Sequence, residues 1–393
     1  MAFTCTIDNL ELSTIRELEK IWLLYYERNV IMEYFVYLTN DCNLHCQYCS
    51  VLLDCKKAGL PIKPDYSIVT LASFIEKVQK ENTDSEVNIY FFGGEPTMEY
   101  SAIRELVQEL RHTLPDDLSL KFVLHTNGLL LNQIPEDLLN ELALIMFSIN
   151  YEKIPKYNLA NSYFSTVISN AITTKQRRDV PMIARLTITE QTSLYTEVLQ
   201  VLNFFDLVYW QIENCSQFKD FPTFYDTYTF EINRTFDYWL QYLKYGFMIK
   251  LVPFMAVLKF MFYPDRSDQE FSCGYSRGMI YIQTNGNCYA CSDNVEAGAH
   301  YMGNITSGIT LGKRSLDQFR CVNCSYRRLC MGRCGRMHIE FSKEHVSEYC
   351  QMNQFMFDLF LKHKVELEQI LQEYPRYQNE LSGWLLEYTE FTP

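Results

Sequence analysis

The chain has 393 residues, with 35 Lys and Arg against 48 Asp and Glu, for a formal net charge of −13. That balance excludes a general nucleic-acid binder, which needs a basic face. A hydrophobic share of 48% with 21% charged residues excludes wholesale disorder, and the length suits about two domains.

Residues 10–30 carry the pattern of an amphipathic helix, so 1–30 reads as an N-terminal helical extension. Six apolar, β-rich runs follow, at 33–38, 87–92, 121–126, 145–150, 182–188 and 207–212. Between them lie helical patterns such as Leu71–Lys80, Ala102–His112 and Tyr195–Phe204, with apolar residues at three- and four-residue intervals. This alternation predicts an α/β fold built of βαβ units on a parallel sheet with right-handed crossovers. Six units are fewer than the eight of a full barrel, so a partial (β/α)6 TIM-like barrel is expected over residues 31–215. Such sheets place their chemistry at the carboxyl ends of the strands.

A helical bridge is expected over 216–270, with a helix near 225–245 and then the Met/Phe-rich run 246–263. Lys250, Pro253 and Lys259 interrupt that run, so it predicts buried core or a domain seam and not a membrane span. Residues 271–350 form a small Cys-rich domain with nine Lys/Arg against six Asp/Glu, net +3; the other 26 Lys/Arg and 42 Asp/Glu leave −16 elsewhere. C-terminal helices are expected within 351–393, over about 352–373 and 377–390. The start of the chain lacks the basic and apolar pattern of a secretory signal, so a cytoplasmic location is expected. In a reducing compartment 14 Cys against 7 His point to metal ligation or chemistry rather than disulfides.

The first cysteine group, Cys42, Cys46 and Cys49, follows the first strand with the spacing C-x3-C-x2-C. Three thiolates on one tight loop can hold three irons of a 4Fe–4S cubane and leave the fourth open to another ligand. A zinc site completed by His45 is the alternative, but zinc sites usually set C-x2-C pairs against a second pair. This stretch resembles the radical S-adenosylmethionine (SAM) enzymes, whose signature is the same motif with an aromatic residue, here Tyr48, before the last Cys. Further matches come in strand order: Gly93-Gly94-Glu95-Pro96 after the second strand, Thr126-Asn127-Gly128 after the third, Ser148 at the end of the fourth and Arg185 in the fifth. The resemblance implies that Gly93, Gly94, Glu95, Pro96, Asn127, Ser148, Arg185 and Tyr48 bind SAM, with Glu95 accepting from its ammonium group. It also implies reductive cleavage of SAM to a 5′-deoxyadenosyl radical that abstracts an unactivated hydrogen.

The second group begins at Cys273. Asn285-Gly286 marks a two-residue hairpin turn leading through Cys288 to Cys291. Cys321, Cys324, Cys330 and Cys334 then read C-x2-C-x5-C-x3-C, and Cys350 closes the set. The pattern resembles the SPASM extension of peptide-modifying radical SAM enzymes, which carries two auxiliary 4Fe–4S clusters. By that resemblance Cys321, Cys324, Cys330 and Cys350 hold the cluster farther from SAM, and Cys273, Cys291 and Cys334 the nearer one. The nearer cluster is one ligand short, to be supplied by Cys288 or left open to substrate. Arg327, Arg328, Arg333 and Arg336 are placed to offset the cluster charge. A zinc ribbon over 321–350 is the rival reading.

The whole resemblance is to maturases of ribosomally made peptides, which crosslink, oxidise or epimerise their substrates. It implies a peptide or protein substrate, a low-potential donor such as flavodoxin or ferredoxin, and neither nucleic acid nor membrane as partner. Anaerobic sulfatase maturases share both domains, but there an Asp directly after the hairpin's last Cys acts as base, and Ser292 stands at that position here. About 30 residues before the first strand are too few for a peptide-recognition domain. Candidate acid–base residues are Asp293, Tyr289 and His125. The reading of another class is a zinc-stabilised interaction module without catalysis.

Overall fold

The computed structural model describes residues 31–44, 46, 49, 55–82, 86–149, 160–215, 217–263, 271–275, 278–293, 295, 298–312 and 315–393. The expected N-terminal helix and Tyr48 lie outside the described residues. The six expected strands appear as β1 (Met32–Thr39), β2 (Glu86–Gly93), β3 (Ser119–Thr126), β4 (Leu142–Ile149), β5 (Met182–Ile188) and β6 (Leu207–Ile212), joined in parallel and in sequence order. Their runs are apolar on both faces, as a sheet covered on both sides requires: β6 is buried at every position. The crossovers contain α1 (Ile68–Asn82), α2 (Tyr100–Thr113), α3 (Glu136–Glu141), α4 (Ala160–Arg177) and α5 (Leu194–Val201). α2 buries Ile103, Leu106, Val107 and Leu110, one face at helical spacing.

After β6 the chain forms the long α6 (Phe221–Lys244), a two-residue strand β7 (Leu251–Val252) that pairs with β6, and α7 (Phe254–Phe262). The Met/Phe-rich run is therefore core. Residues 254–260 are buried, and Phe254 packs its ring against Trp210, Phe236, Trp239 and Phe360. No helix among the described residues is long and apolar enough to cross a membrane.

The Cys-rich region opens with the expected hairpin, β8 (Met279–Ile282) and β9 (Asn287–Tyr289), continued by β10 (Tyr301–Asn304) and β11 (Gly308–Ile309). Gly286 takes a left-handed φ of +75° in the turn, as the Asn-Gly pair requires. The sequence does not announce that β8 adds in parallel to β1, from Glu33 opposite Met279 to Val36 opposite Ile282. One sheet thus runs in the order β11-β10-β9-β8-β1-β2-β3-β4-β5-β6-β7, open between β7 and β8 among the described residues. The result is a partial barrel with a small Cys-rich layer on its first strand.

Cys330 ends the short helix α8 (Arg327–Cys330), and Cys334 immediately precedes α9 (Gly335–Glu340). These helices are followed by α10 (Lys343–Lys362), α11 (Lys364–Glu373), α12 (Arg376–Leu381) and a 3₁₀ turn, Trp384–Tyr388. The helical pattern expected at 352–373 is two helices, broken at His363. The last residues return to the barrel: Phe391 is 1% exposed and packs on Phe260, in α7.

Candidate active site

A cavity of about 320 Å³ opens at the carboxyl ends of the strands, within the size range of small-molecule sites. Its wall carries two cysteine trios, Cys42, Cys46 and Cys49 from the loop after β1, and Cys273, Cys291 and Cys334 from the Cys-rich region. Gly93, Gly94, Glu95, Asn127, Ser148 and Arg185 also line it, as do two of the acid–base candidates, His125 and Asp293. Pro96 and Tyr289 are not in the wall. Pro96 starts the buried 3₁₀ turn Pro96–Glu99. Tyr289 packs edge-on against Tyr301, 5.6 Å between ring centroids.

The loop after β1 is stitched down at its start. Asn40 Nδ2 donates to Pro61 O (2.9 Å) and Thr284 Oγ1 (2.8 Å), tying the loop to the Cys-rich hairpin. Gly94 N donates to Thr39 O (2.8 Å) and Glu95 N to Asp41 O (2.9 Å). A Cβ on Gly93 would sit 2.4 Å from Thr39 O, and one on Gly94 1.9 Å from Asp41 O. The two glycines thus admit the backbone of the cysteine loop itself.

Glu95 is 1% exposed. Its Oε1 accepts from Thr97 N (3.0 Å), Thr97 Oγ1 (2.6 Å) and Thr126 Oγ1 (2.7 Å), and its Oε2 from Asn127 N (2.7 Å). Desolvation raises its pKa, against these bonds. The carboxylate expected to meet an ammonium group therefore braces the end of β2 against the end of β3, with capacity left on Oε2. Asn127 Nδ2 in turn reaches Asn43 Oδ1 at 2.7 Å, inside the cysteine loop.

His125 faces the cavity from β3, its ring 5.1 Å from that of Phe92. Neither ring nitrogen has a hydrogen-bond partner among the described residues. Burial, with a smaller push from Arg185, lowers its pKa from 6.5 to about 3, so the imidazole is neutral at ordinary pH. Arg185 donates to Gln211 Oε1. Aromatic rings floor the space between the two cysteine groups: Phe35 stacks on Tyr90 at 4.0 Å and on Tyr281 at 4.3 Å.

The free thiols of Cys273 and Cys334 are hydrogen-bond neighbours, and Cys334 is electrostatically linked to Cys291. Asn214 Nδ2 lies 3.7 Å from Cys334 Sγ. Cys288, the proposed fourth member, is held apart: its buried thiol faces Gly286 O at 3.7 Å, and burial alone raises its pKa. Asp293 pairs with Arg336 at 2.8 Å, which also holds Glu340 at 2.7 Å. Glu390, which no motif flagged, enters the same wall from the C-terminal tail. Burial lifts its carboxyl to about 7, while Arg185 pulls the other way.

Cys321, Cys324, Cys330 and Cys350 converge outside this cavity, each thiol in the electrostatic field of others of the set. Three successive left-handed residues, Met331, Gly332 and Arg333, turn the chain from that quartet to Cys334. Of the arginines expected to offset cluster charge, Arg327 is bound to Asp317 at 2.6 Å. The guanidinium of Arg333 is 4% exposed, donating to Ile212 O, Asn214 Oδ1 and Pro393 O. Arg320, absent from that expectation, lies 3.9 Å from Cys350 Sγ. Among the described residues no three His, Cys, Asp or Glu side chains converge tightly enough for a single metal ion.

Residues 36–158 match the model of the radical SAM superfamily, and this part of the chain is a radical SAM domain. Over 104 residues the chain is 29% identical to the radical SAM cyclopropyl synthase TigE of Paramaledivibacter caminithermalis; the match spans 24% of this chain and 21% of that protein. Among solved structures it is similar to anSMEcpe with bound AdoMet and a Cp18Cys peptide, at TM-score 0.64 and 19% identity, covering 89% of this chain and 99% of that one. It is also similar to Streptococcus suis SuiB bound to its precursor peptide SuiA, at TM-score 0.52 and 16% identity, covering 88% and 83%. At these identities the likeness is one of fold.

Proposed function

From the radical SAM domain carried by residues 36–158, we propose that this protein cleaves SAM reductively and modifies a peptide or protein substrate by crosslinking, oxidation or epimerisation. The observation that carries this reading is a single cavity whose wall carries both cysteine trios together with the strand-end residues. The similar fold of anSMEcpe holds AdoMet together with a peptide, and that of SuiB holds a precursor peptide. In this reading Cys42, Cys46 and Cys49 hold the first 4Fe–4S cluster, and the C-terminal cysteines hold two auxiliary clusters that accept or pass electrons. The first cluster and SAM, when bound, supply a 5′-deoxyadenosyl radical.

The chain's own residues do the rest. Glu95, Thr126 and Asn127 hold the strand ends rigid, so that the cysteine loop has one position. Ser148 and Arg185 present a hydroxyl and a guanidinium toward the cavity for the polar groups of SAM. Neutral His125 offers a hydrogen-bonding group that the protein leaves unpaired. The stacked rings of Phe35, Tyr90 and Tyr281 keep the path between the trios apolar and exclude water from a radical.

Protein purified without oxygen is expected to be brown, with about twelve irons per chain on three four-iron clusters. It should release 5′-deoxyadenosine when given SAM and dithionite, and Cys46→Ala should abolish that product. Undiminished product from Cys46→Ala, or zinc in place of iron, would overturn the reading. Mass spectrometry of a co-expressed candidate peptide then identifies the bond made, a loss of two hydrogens marking a crosslink.

A further inference from the structure

A four-iron cluster is ordinarily held by four ligands, and among the described residues the thiols outside the first loop that line the cavity are three, Cys273, Cys291 and Cys334. The other described cysteines outside the two auxiliary sets and the first loop are engaged elsewhere. Cys288 faces Gly286 O, Cys55 contacts Gln283 Oε1 at 3.6 Å, and Cys215 contacts Tyr349 OH at 3.7 Å.

The C-terminal tail crosses this end, and it is clamped by the chain neighbours of the auxiliary cysteines. Thr392 N donates to Oγ of Ser272, the residue before Cys273, at 2.7 Å. Thr392 Oγ1 donates to the carbonyl of Cys330 at 2.7 Å. Arg333, the residue before Cys334, donates through Nε to Pro393 O at 2.6 Å. Two residues ahead of Thr392, Glu390 enters the cavity wall. Its carboxylate lies in the electrostatic field of both Cys273 and Cys334, and it has no hydrogen bond or ion pair among the described residues. Glu390 is half-buried in that wall, so its carboxylate is held at the cavity surface, open to a ligand, with Arg185 and Arg333 nearby to balance its charge. The competing carboxylate, Asp293, is already engaged: Oδ1 accepts from Ser292 Oγ and Oδ2 holds Arg336.

Resting on the reading above, we propose that Glu390 supplies the fourth, carboxylate, ligand to the auxiliary 4Fe–4S cluster held by Cys273, Cys291 and Cys334. The tail is then a structural arm whose anchors, Ser272, Cys330 and Arg333, sit on the cluster-bearing segments themselves. One iron of that cluster carries oxygen where the others carry sulfur, and it is spectroscopically distinct.

The test uses full-length protein reconstituted with ⁵⁷Fe, in a Cys42→Ala/Cys46→Ala/Cys49→Ala background so that only the auxiliary clusters are observed. Mössbauer spectra should show about one iron in eight with an oxygen-ligated signature. Glu390→Cys should keep the iron content and convert that iron to the all-sulfur signature. Glu390→Gln should lose the distinct signature and gain one bound ¹³C-cyanide per chain. If the spectrum of Glu390→Gln equals that of its parent at equal iron content, Glu390 is not the ligand and the proposal fails alone. Cyanide bound equally by the parent also overturns it, since the iron is then open. A parent that takes up zinc and no iron overturns the functional reading with it.

Discussion

Glu95 and His125 show how differently two buried polar side chains on neighbouring strand ends are treated. Glu95 receives four hydrogen bonds from Thr97, Thr126 and Asn127, which repay the burial of a carboxylate. His125 receives none among the described residues, and it avoids the cost of a buried charge by staying neutral. Its folded pKa, about 3, lies below the ordinary 6.5. Between those values the unfolded chain binds the proton and the folded one does not, so His125 subtracts stability as pH falls from about 6.5 toward 3. His125→Phe is therefore expected to flatten the pH dependence of Tm below pH 6.5 relative to the parent. Equal slopes for the two proteins would show that His125 can ionise in place. Arg185 was expected from its strand position, and its partner Gln211 was not, because that pairing crosses from β5 to β6.

At the level of elements, the decisive contact is the packing of the β2 end onto the loop after β1. Gly93 and Gly94 stand where any side chain would strike the carbonyls of Thr39 and Asp41. Gly94→Ala must push the cysteine loop off its seat, at a cost on the order of 1–3 kcal/mol for an overpacked position. The expected result is a loss of about four of twelve irons, with the auxiliary clusters retained. Full iron content in Gly94→Ala would show that the loop can shift without losing its ligands. The glycine-glycine motif was visible in the sequence, but the neighbour that demands it was not, since Asp41 and Gly94 lie far apart along the chain. The hairpin at Asn285-Gly286 was fully local and appeared as expected, whereas Tyr289 and Cys288 beside it turned away from the cavity. Their orientation depends on the pairing of β9 with β8 and β10, a non-local matter.

For the whole molecule, the consequential feature is that barrel and Cys-rich region share one sheet. β8 covers the edge of β1 with a parallel ladder, and α10 packs Phe360 into the cluster of Phe236, Trp239 and Phe254. A chain cut after residue 263 would expose the hydrogen-bonding edge of β1 and the apolar faces of α6 and α7. Bare edges of this kind template aggregation. Residues 1–263 alone are expected to be insoluble or associated by light scattering, and a monomer with native-like thermal melting would show the barrel to be independent.

Cysteine spacing, strand periodicity and the Gly-Gly-Glu-Pro motif were enough to expect the partial barrel and to pick out the two cysteine trios that line one cavity. Each is a short-range pattern, readable because ligand spacing and strand alternation are set by local geometry. The tertiary structure decided which side chains share the cavity. It set Tyr289 and Cys288 outside, gave Glu95 to the strand ends, joined β8 to β1 and returned Glu390 from the end of the chain to the cavity wall. These outcomes rest on contacts between residues hundreds of positions apart, such as Thr392 with Ser272 and Asn40 with Thr284. No local pattern carries such contacts, because only packing brings their partners together.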